Sequence, residues 1–280
     1  MKTRVLTGLL IIGVMTAVLC VSSTFIYPIV LSVIAVMASF EVLRVLSLHK
    51  NIYVAALSYA VSGAMPVLAY VLGQIFGKAE SYLIVALALV FFVYMLLLFG
   101  AAVFSKGKVT FSSISSALVM VVYITAAFFA MTILRYIDRI GLFCLGLVLI
   151  GAWISDVFAY FTGVLFGKHK LIPEVSPKKT VEGSVGAVVC TTFGMMLYGL
   201  LVSLFTDLTP NYLILAVSGA VLSVAGQIGD LIASVFKREW GVKDYGTLLP
   251  GHGGIMDRFD SILATSAVSM IISLLFAPFS

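Results

Sequence analysis

Long uninterrupted apolar segments, separated by short polar breaks, recur along the whole chain. They predict nine membrane-spanning helices at residues 5–21, 25–47, 52–73, 82–104, 111–134, 140–166, 184–206, 211–236 and 255–277. The breaks carry turn residues or charge, as in Lys106-Gly107-Lys108 and Thr209-Pro210-Asn211. Segments this long do not show the alternation of a membrane β-strand. The pattern therefore predicts an all-α, polytopic integral membrane protein.

Composition narrows the class of protein further. Of the 280 residues, 62% are hydrophobic and 10% are charged, whereas soluble domains are about 25% charged. This composition excludes a disordered chain and a soluble domain with a single anchor. The 17 Lys and Arg residues exceed the 12 Asp and Glu residues, but basic cytoplasmic loops explain that excess. We therefore expect membrane lipid as a partner and no nucleic acid.

The basic residues also predict an orientation. With a cytoplasmic N-terminus, 14 of the 17 Lys and Arg residues fall inside, and only Lys78, Arg135 and Arg139 fall outside. The same orientation places two long polar loops, 167–183 and 237–254, on the cytoplasmic face. We expect function in these loops, with the active site facing the cytoplasm from the cell's inner (plasma) membrane.

Acidic side chains stand out inside three of the predicted helices. Asp156 lies in the sixth, Asp230 in the eighth, and Asp257 with Asp260 at the start of the ninth. A carboxylate at mid-span costs ~2.5–3.5 kcal/mol, so such residues usually face a cavity and a partner. An ion pair with Arg258 or a helix-end cap is the alternative explanation. Because the histidines and cysteines do not cluster, oxygen ligands for a hard cation, first of all Mg²⁺, are favoured.

Small and polar residues of the eighth helix share one face. Within an arc of about 100° lie Gly219, Ser223, Gly226, Gln227, Asp230 and Ser234. Small residues alone would also suit a helix-packing seam. The Asp and the Gln favour a helix that lines a wet site. A similar stripe on the sixth helix consists of Asp156, Tyr160, Gly163 and Gly167.

The two loops carry residues suited to phosphate. The first contains Ser176-Pro177-Lys178-Lys179-Thr180-Val181-Glu182-Gly183, directly before the seventh helix. Lysines and helix N-termini both attract phosphate. The second ends in a glycine-rich turn and delivers Asp257, Arg258 and Asp260 to a helix start. Lysines, a divalent cation and a lipid-exposed entrance suit transfer of a phosphorus-containing group between a soluble nucleotide and a lipid.

The segment from Ser234 to Asp260 carries a longer motif. It reads Ser234-Val-Phe-Lys237-Arg238, then Lys243-Asp244, Gly246, Leu249-Pro250-Gly251-His252-Gly253-Gly254 and Asp257-Arg258-Phe259-Asp260. Over these 27 residues the chain resembles the signature of the phosphatidate cytidylyltransferases, or CDP-diacylglycerol synthases. Residues 176–183, and Asp156 with Tyr160, are also similar to that family. The first five helices match it only in hydropathy.

The resemblance implies a reaction. CTP and phosphatidic acid would give CDP-diacylglycerol and pyrophosphate, a committed step in phospholipid biosynthesis. The family requires Mg²⁺, with a second, monovalent cation such as K⁺, and the resemblance suggests a homodimer. Residues 1–137 would then form a lipid or dimer scaffold of about five spans, and residues 138–280 the catalytic region.

The resemblance also assigns residue roles. The family's metal-binding aspartates fall on Asp230 and Asp257, with Asp156 a further candidate ligand. Candidate catalytic residues are these two aspartates with Lys237, Arg238 and Asp260. Candidate substrate-binding residues are Ser176, Lys178, Lys179, Thr180, Glu182, Ser234, Lys243, Asp244, His252, Gly253, Gly254 and Arg258. We expect His252 to position its loop, with general base as the alternative, because the attacking phosphate oxygen is already ionised.

Three other functions compete with this one. A CTP-dependent lipid kinase would use the same partners but transfer the γ-phosphoryl group. An ion-coupled transporter would explain intramembrane aspartates, but not the Ser-Pro-Lys-Lys-Thr loop. A scaffold protein would explain neither the loops nor the aspartates.

The predicted topology can be tested at the C-terminus. Nine spans and a cytoplasmic N-terminus place Ser280 on the non-cytoplasmic side. A reporter fused after Ser280 should therefore give a non-cytoplasmic signal, with a fusion in the 167–183 loop as the cytoplasmic control. A cytoplasmic signal from the C-terminal fusion would contradict the count of nine spans.

Overall fold

The computed structural model of the chain describes residues 13–76, 81–249, 251 and 253–280. The predicted first span, 5–21, lies partly outside these residues, and its described part, residues 13–20, is helical and is named α1. The other helices are α2 Ile26–Val45, α3 Ile52–Phe76, α4 Ser81–Phe104, α5 Phe111–Arg135, α6 Gly141–Phe166, α7 Val181–Phe205, α8 Tyr212–Glu239 and α9 Met256–Phe276. The predicted helices from the second to the ninth are confirmed.

These helices make the chain an all-α, polytopic membrane protein. Among the described residues, eight helices, α2 to α9, are long and apolar enough to cross a bilayer. Their outer faces carry large apolar side chains, such as Leu165, Phe193 and Leu204, which are 67–70% exposed. Such surfaces suit contact with lipid. The total of nine spans and the side of the N-terminus stay predictions.

Side-chain caps fix the starts of α5, α7 and α8. The side-chain oxygen of Thr110 accepts the N–H of Ser113 before α5, Thr180 that of Gly183 before α7, and Asn211 that of Ile214 before α8. Such caps satisfy one of the unpaired N–H groups of a helix start. Because Thr180 is the cap, α7 begins at Val181, three residues earlier than predicted.

A short β-hairpin lies in the loop between α6 and α7, where the sequence predicted no strand. Strands β1 (Lys170–Ile172) and β2 (Ser176–Thr180) pair antiparallel, with Lys170 opposite Thr180 and an irregularity in the register. The strands are too short and polar to show an alternating pattern of apolar residues. The hairpin carries the lysines of the first loop.

The chain divides into two compact units. One comprises Met1–Tyr136 with Asp244–Asp257, and the other comprises Ile137–Lys243 with Arg258–Ser280. In the first, α2, α3 and α5 pack together. The second has an apolar core formed by Leu147, Met195, Val202, Leu208, Leu215, Leu222, Ile272 and Phe279. The functional division at residues 137 and 138 stays a prediction. Residues 244–254 of the second loop, together with residues 255–257, group with the first unit.

Part of the polar stripe on α8 is a packing seam. A side chain at Gly219 would meet the backbone of Thr191 and Thr192 on α7. Ser223 is buried, and its hydroxyl lies 2.8 Å from that of Ser155 on α6. The prediction that the stripe lines a wet site is therefore wrong for these positions, because small residues let the helices approach closely.

The seam predicts that replacing glycine by alanine lowers thermal stability at Gly219 but not at Gly100. In Gly219→Ala the new Cβ would lie 2.6 Å from the Thr192 Cα, and such overpacking costs about 1–3 kcal/mol. Thermal unfolding in detergent should show a lower midpoint than for the wild type. Gly100→Ala is the matched control, because a Cβ at Gly100 meets nothing within 4 Å. Equal midpoints for the two variants would contradict the seam.

Candidate functional site

The second unit contains an open cavity between α6, the hairpin, α7 and α8. Its volume is about 430 Å³. The residues that line it are Asp156, Ala159, Tyr160, Gly163, Val164, Lys170, Leu171, Lys178, Lys179, Thr180, Gly183, Ser184, Gln227 and Asp230. Residues from the predicted stripes of α6 and α8 and from the predicted lysine loop thus share one cavity.

An ion pair links the hairpin to α8 inside this cavity. The Nζ of Lys179, at the end of β2, lies 2.7 Å from an Oδ atom of Asp230. The two side chains are 23% and 28% exposed. Ser234, one turn further along α8, donates a hydrogen bond to the other Asp230 oxygen at 3.4 Å. The partner that stabilises the intramembrane carboxylate is therefore Lys179.

Two further aspartates lie near Asp230 in the same unit. Asp156 and Asp260 both approach closely enough to repel it electrostatically. Asp156 also accepts a hydrogen bond from Ser261 Oγ at 3.3 Å. Nearby cations offset this negative charge, with Lys179 and Arg258 acting on Asp156 and Lys237 acting on Asp260.

The geometry of these acids bears on metal binding. Within the described part of the chain, no three Asp, Glu, His or Cys side chains converge closely enough to hold an ion by themselves. Mg²⁺ usually takes only one or two carboxylates and completes its shell with water and substrate phosphate oxygens. The oxygen donors present therefore fit Mg²⁺ better than they fit a cation that needs a full protein cage.

Gln227 on α8 links α7 and the hairpin to its own helix at the edge of the cavity. Its side-chain oxygen accepts a short hydrogen bond from Ser184 on α7, and its amide nitrogen donates to Ser223 Oγ at 3.2 Å. Lys179 Nζ reaches the Gln227 carbonyl at 3.5 Å. Of the six residues of the α8 stripe that we expected to line a wet site, Gln227 and Asp230 are among the residues that line the cavity.

Glu182 holds the base of the hairpin and is absent from the residues that line the cavity. Its carboxylate accepts the N–H groups of Lys168 and His169 at 3.1 and 3.2 Å, and it lies 2.7 Å from the His169 ring. Close approach of the α7 start to α6 requires Gly183, because a Cβ there would meet the Ala159 carbonyl at 2.7 Å. These contacts orient β2, which carries Lys179.

The glycine-rich turn is held by carboxylates of the first unit. One oxygen of Asp257, a residue that is 8% exposed, accepts the N–H groups of Tyr245 and Gly254 at 2.8 and 3.0 Å. Glu41 of α2 accepts those of Ile255 and Met256. Sequence reasoning missed Glu41, although a carboxylate inside an apolar segment was the signal that singled out the aspartates.

The other predicted residues occupy varied positions. Lys237 and Ser234 are buried on α8, whereas Arg238 is exposed and its Nε reaches the Val175 carbonyl at 3.5 Å. The remaining exposed candidates are Lys178, Lys243, Asp244 and Arg258. Ser176 and Gly253 are half-buried, Gly254 is buried, and His252 lies outside the described residues. Asp230 and Asp257 fall in different compact units, so their shared metal site stays a prediction.

These features define an integral membrane protein with a polar cavity lined by carboxylates and lysines. The model of the cytidylyltransferase family matches residues 2–276. The chain belongs to this family.

The names of similar proteins are more specific than the name of the family. A phosphatidate cytidylyltransferase of Bacillus subtilis is 34% identical over 94% of each chain. Those of Staphylococcus haemolyticus and Staphylococcus epidermidis are 38% and 42% identical, over 60% and 58% of this chain. The staphylococcal matches span 62% and 59% of those relatives' own length.

Proposed function

We propose that this protein transfers the CMP moiety of CTP to phosphatidic acid, producing CDP-diacylglycerol and pyrophosphate. The observation that carries the proposal is the cavity in which Lys179 pairs with Asp230 beside Asp156. Membership of the cytidylyltransferase family and the printed name of the relatives support the same reaction.

The proposed reaction is an in-line displacement. An oxygen of the phosphatidate phosphate forms a bond to the α-phosphorus of CTP, and the bond from that phosphorus to the bridging oxygen of the β-phosphate breaks. The electron pair of that bond leaves with pyrophosphate. Because the attacking oxygen is already ionised, no protein base is needed, and the chain's task is to position and neutralise charged groups.

Asp230 and Asp257 are the proposed ligands of Mg²⁺, with Asp156 as a further candidate ligand and K⁺ as the proposed second, monovalent cation. Bound Mg²⁺ would neutralise phosphate charge and align the displacement. The support is the donor set, in which carboxylate oxygens predominate and suit a hard cation.

Lys179 has two competing partners in this proposal. In the structure it pairs with Asp230 at 2.7 Å. A triphosphate in the cavity would offer Lys179 a stronger anionic partner, which leaves the Asp230 carboxylate for the cation. Lys178 and Thr180, on the same strand and lining the same cavity, are placed to contact phosphate as well.

The proposal also covers the side of the membrane that the active site faces and the oligomeric state of the protein. We place the active site on the cytoplasmic face of the plasma membrane, on the basis of the basic residues in both long loops. We also propose a homodimer, for which the family resemblance is the support.

Neutralising either proposed ligand should abolish turnover. Asp230→Asn and Asp257→Asn keep the side-chain shape but remove a charge that stabilises the transition state by several kcal/mol, so activity should fall at least about 100-fold. The assay follows pyrophosphate release from CTP and phosphatidate with purified protein and Mg²⁺. Chelation of the cation should stop the wild-type enzyme.

Controls separate the competing functions. Glu174→Gln removes an exposed carboxylate from the hairpin turn and should leave activity unchanged. With α-labelled CTP the label should enter the lipid, and with γ-labelled CTP it should appear in pyrophosphate. Transfer of the γ-label to lipid would indicate a kinase instead. Wild-type turnover in either Asp→Asn variant would remove that residue from the metal site.

A further inference from the structure

Glu41 is a buried carboxylate that caps a distant helix. It lies in α2 and is 4% exposed. Its Oε1 accepts the N–H of Ile255 at 3.0 Å, and its Oε2 accepts that of Met256 at 2.9 Å. These N–H groups belong to the start of α9, where backbone donors have no intrahelical partner. A side chain more than 200 residues earlier in sequence therefore supplies the cap.

Two glycines make room for this carboxylate. Gly246 and Gly254 are both buried, and a Cβ at either position would collide with the Glu41 carboxylate. Because any larger residue would displace the carboxylate or the loop, the requirement for glycine at these two positions follows from Glu41. The glycine-rich turn and α2 are thus matched in shape.

A second contact from α2 holds the other end of the same segment. Arg44, one turn after Glu41, donates a hydrogen bond to the Tyr245 carbonyl at 3.1 Å. The Tyr245 N–H goes to Asp257 at 2.8 Å. Residues 245–257, named here the glycine loop, are therefore attached to α2 at both ends, and Asp257 closes the loop on itself.

Burying the Glu41 carboxylate would cost free energy without the N–H groups of Ile255 and Met256. It lies close enough to Asp257 for the two carboxylates to repel each other, and a buried charge is tolerated only when it is hydrogen-bonded or paired. Charge-assisted bonds from backbone N–H groups supply that compensation. An apolar residue at position 41 would leave the two N–H groups unpaired, which explains why a carboxylate occupies this site in a membrane helix.

We propose that Glu41 is a positioning residue that sets the geometry of the glycine loop, and through it the orientation of Asp257. This inference rests on the proposed function for its catalytic consequence, but the loop contact itself does not depend on the reaction. Glu41 contacts backbone atoms of the loop and acts on substrate and cation only through Asp257.

Hydrogen–deuterium exchange tests the contact without any assay of activity. Glu41→Gln exchanges one acceptor oxygen for an amide group that donates, so exchange across residues 245–257 should rise about tenfold, because local opening becomes easier. Arg44→Gln, at an exposed position, should raise it by a smaller factor. Ser39→Ala is the matched control, because Ser39 is buried on the same helix but bonds Ser62 on α3.

The outcomes of this measurement are distinct. Faster exchange confined to the glycine loop in Glu41→Gln and Arg44→Gln, and not in Ser39→Ala, supports the proposal. Unchanged exchange in the loop overturns it, as does an equal effect of Ser39→Ala. Were Glu41→Gln to fail to fold, the result for Arg44→Gln would decide.

A kinetic measurement tests the consequence for the site. In Glu41→Gln the Mg²⁺ concentration for half-maximal turnover should rise about fivefold, because a displaced ligand weakens cation binding. The KM for phosphatidate should stay unchanged, and so should both parameters in Ser39→Ala. A fall in kcat with no change in Mg²⁺ dependence would overturn the role through Asp257. Absence of CTP turnover in the wild type would refute the proposed function, and the exchange result would still stand.

Discussion

The arrangement of the second unit around its cavity depends on stabilising one charge, the Asp230 carboxylate, inside an apolar helix. Asp230 lies in α8, a 28-residue helix that is long and apolar enough to cross a bilayer, and Lys179 on the hairpin supplies its countercharge. The ion pair requires the hairpin to return over α8, and this return needs β2 to end at the Thr180 cap of α7. Three walls of the cavity, the hairpin, α7 and α8, are the elements that these contacts join, and α6 forms the fourth.

In the first unit, backbone N–H groups stabilise the buried carboxylates. Glu41 and Asp257 are both buried, and each accepts two N–H groups from the segment around the glycine-rich turn. A loop with many glycines has little preference of its own for one conformation. The two fixed carboxylates supply that preference, so Asp257, a proposed cation ligand, also shapes the loop that carries it.

The helices could be predicted because crossing a bilayer demands about 20 consecutive apolar residues, a signal that averages over many positions. Signals that rest on single positions were less reliable. Glu41 was overlooked within the strongly apolar α2, and the hairpin is too short for a periodic pattern. The sequence singled out Lys179 and Asp230 separately, but their pairing across 51 positions depends on how the hairpin folds back. Likewise, only packing shows that Gly219 belongs to a helix seam while Gln227 borders the cavity.

The interaction between Lys179 and Asp230 is the central claim, and a double-mutant cycle on unfolding measures it most directly. Lys179→Met, Asp230→Asn and the double variant are compared with the wild type in detergent without CTP or divalent cation. A coupling free energy of about 1–3 kcal/mol is expected, because each single variant removes the countercharge that lies closest to the remaining partner in a partly buried site. Additive effects of the two substitutions, with no coupling, would contradict the account.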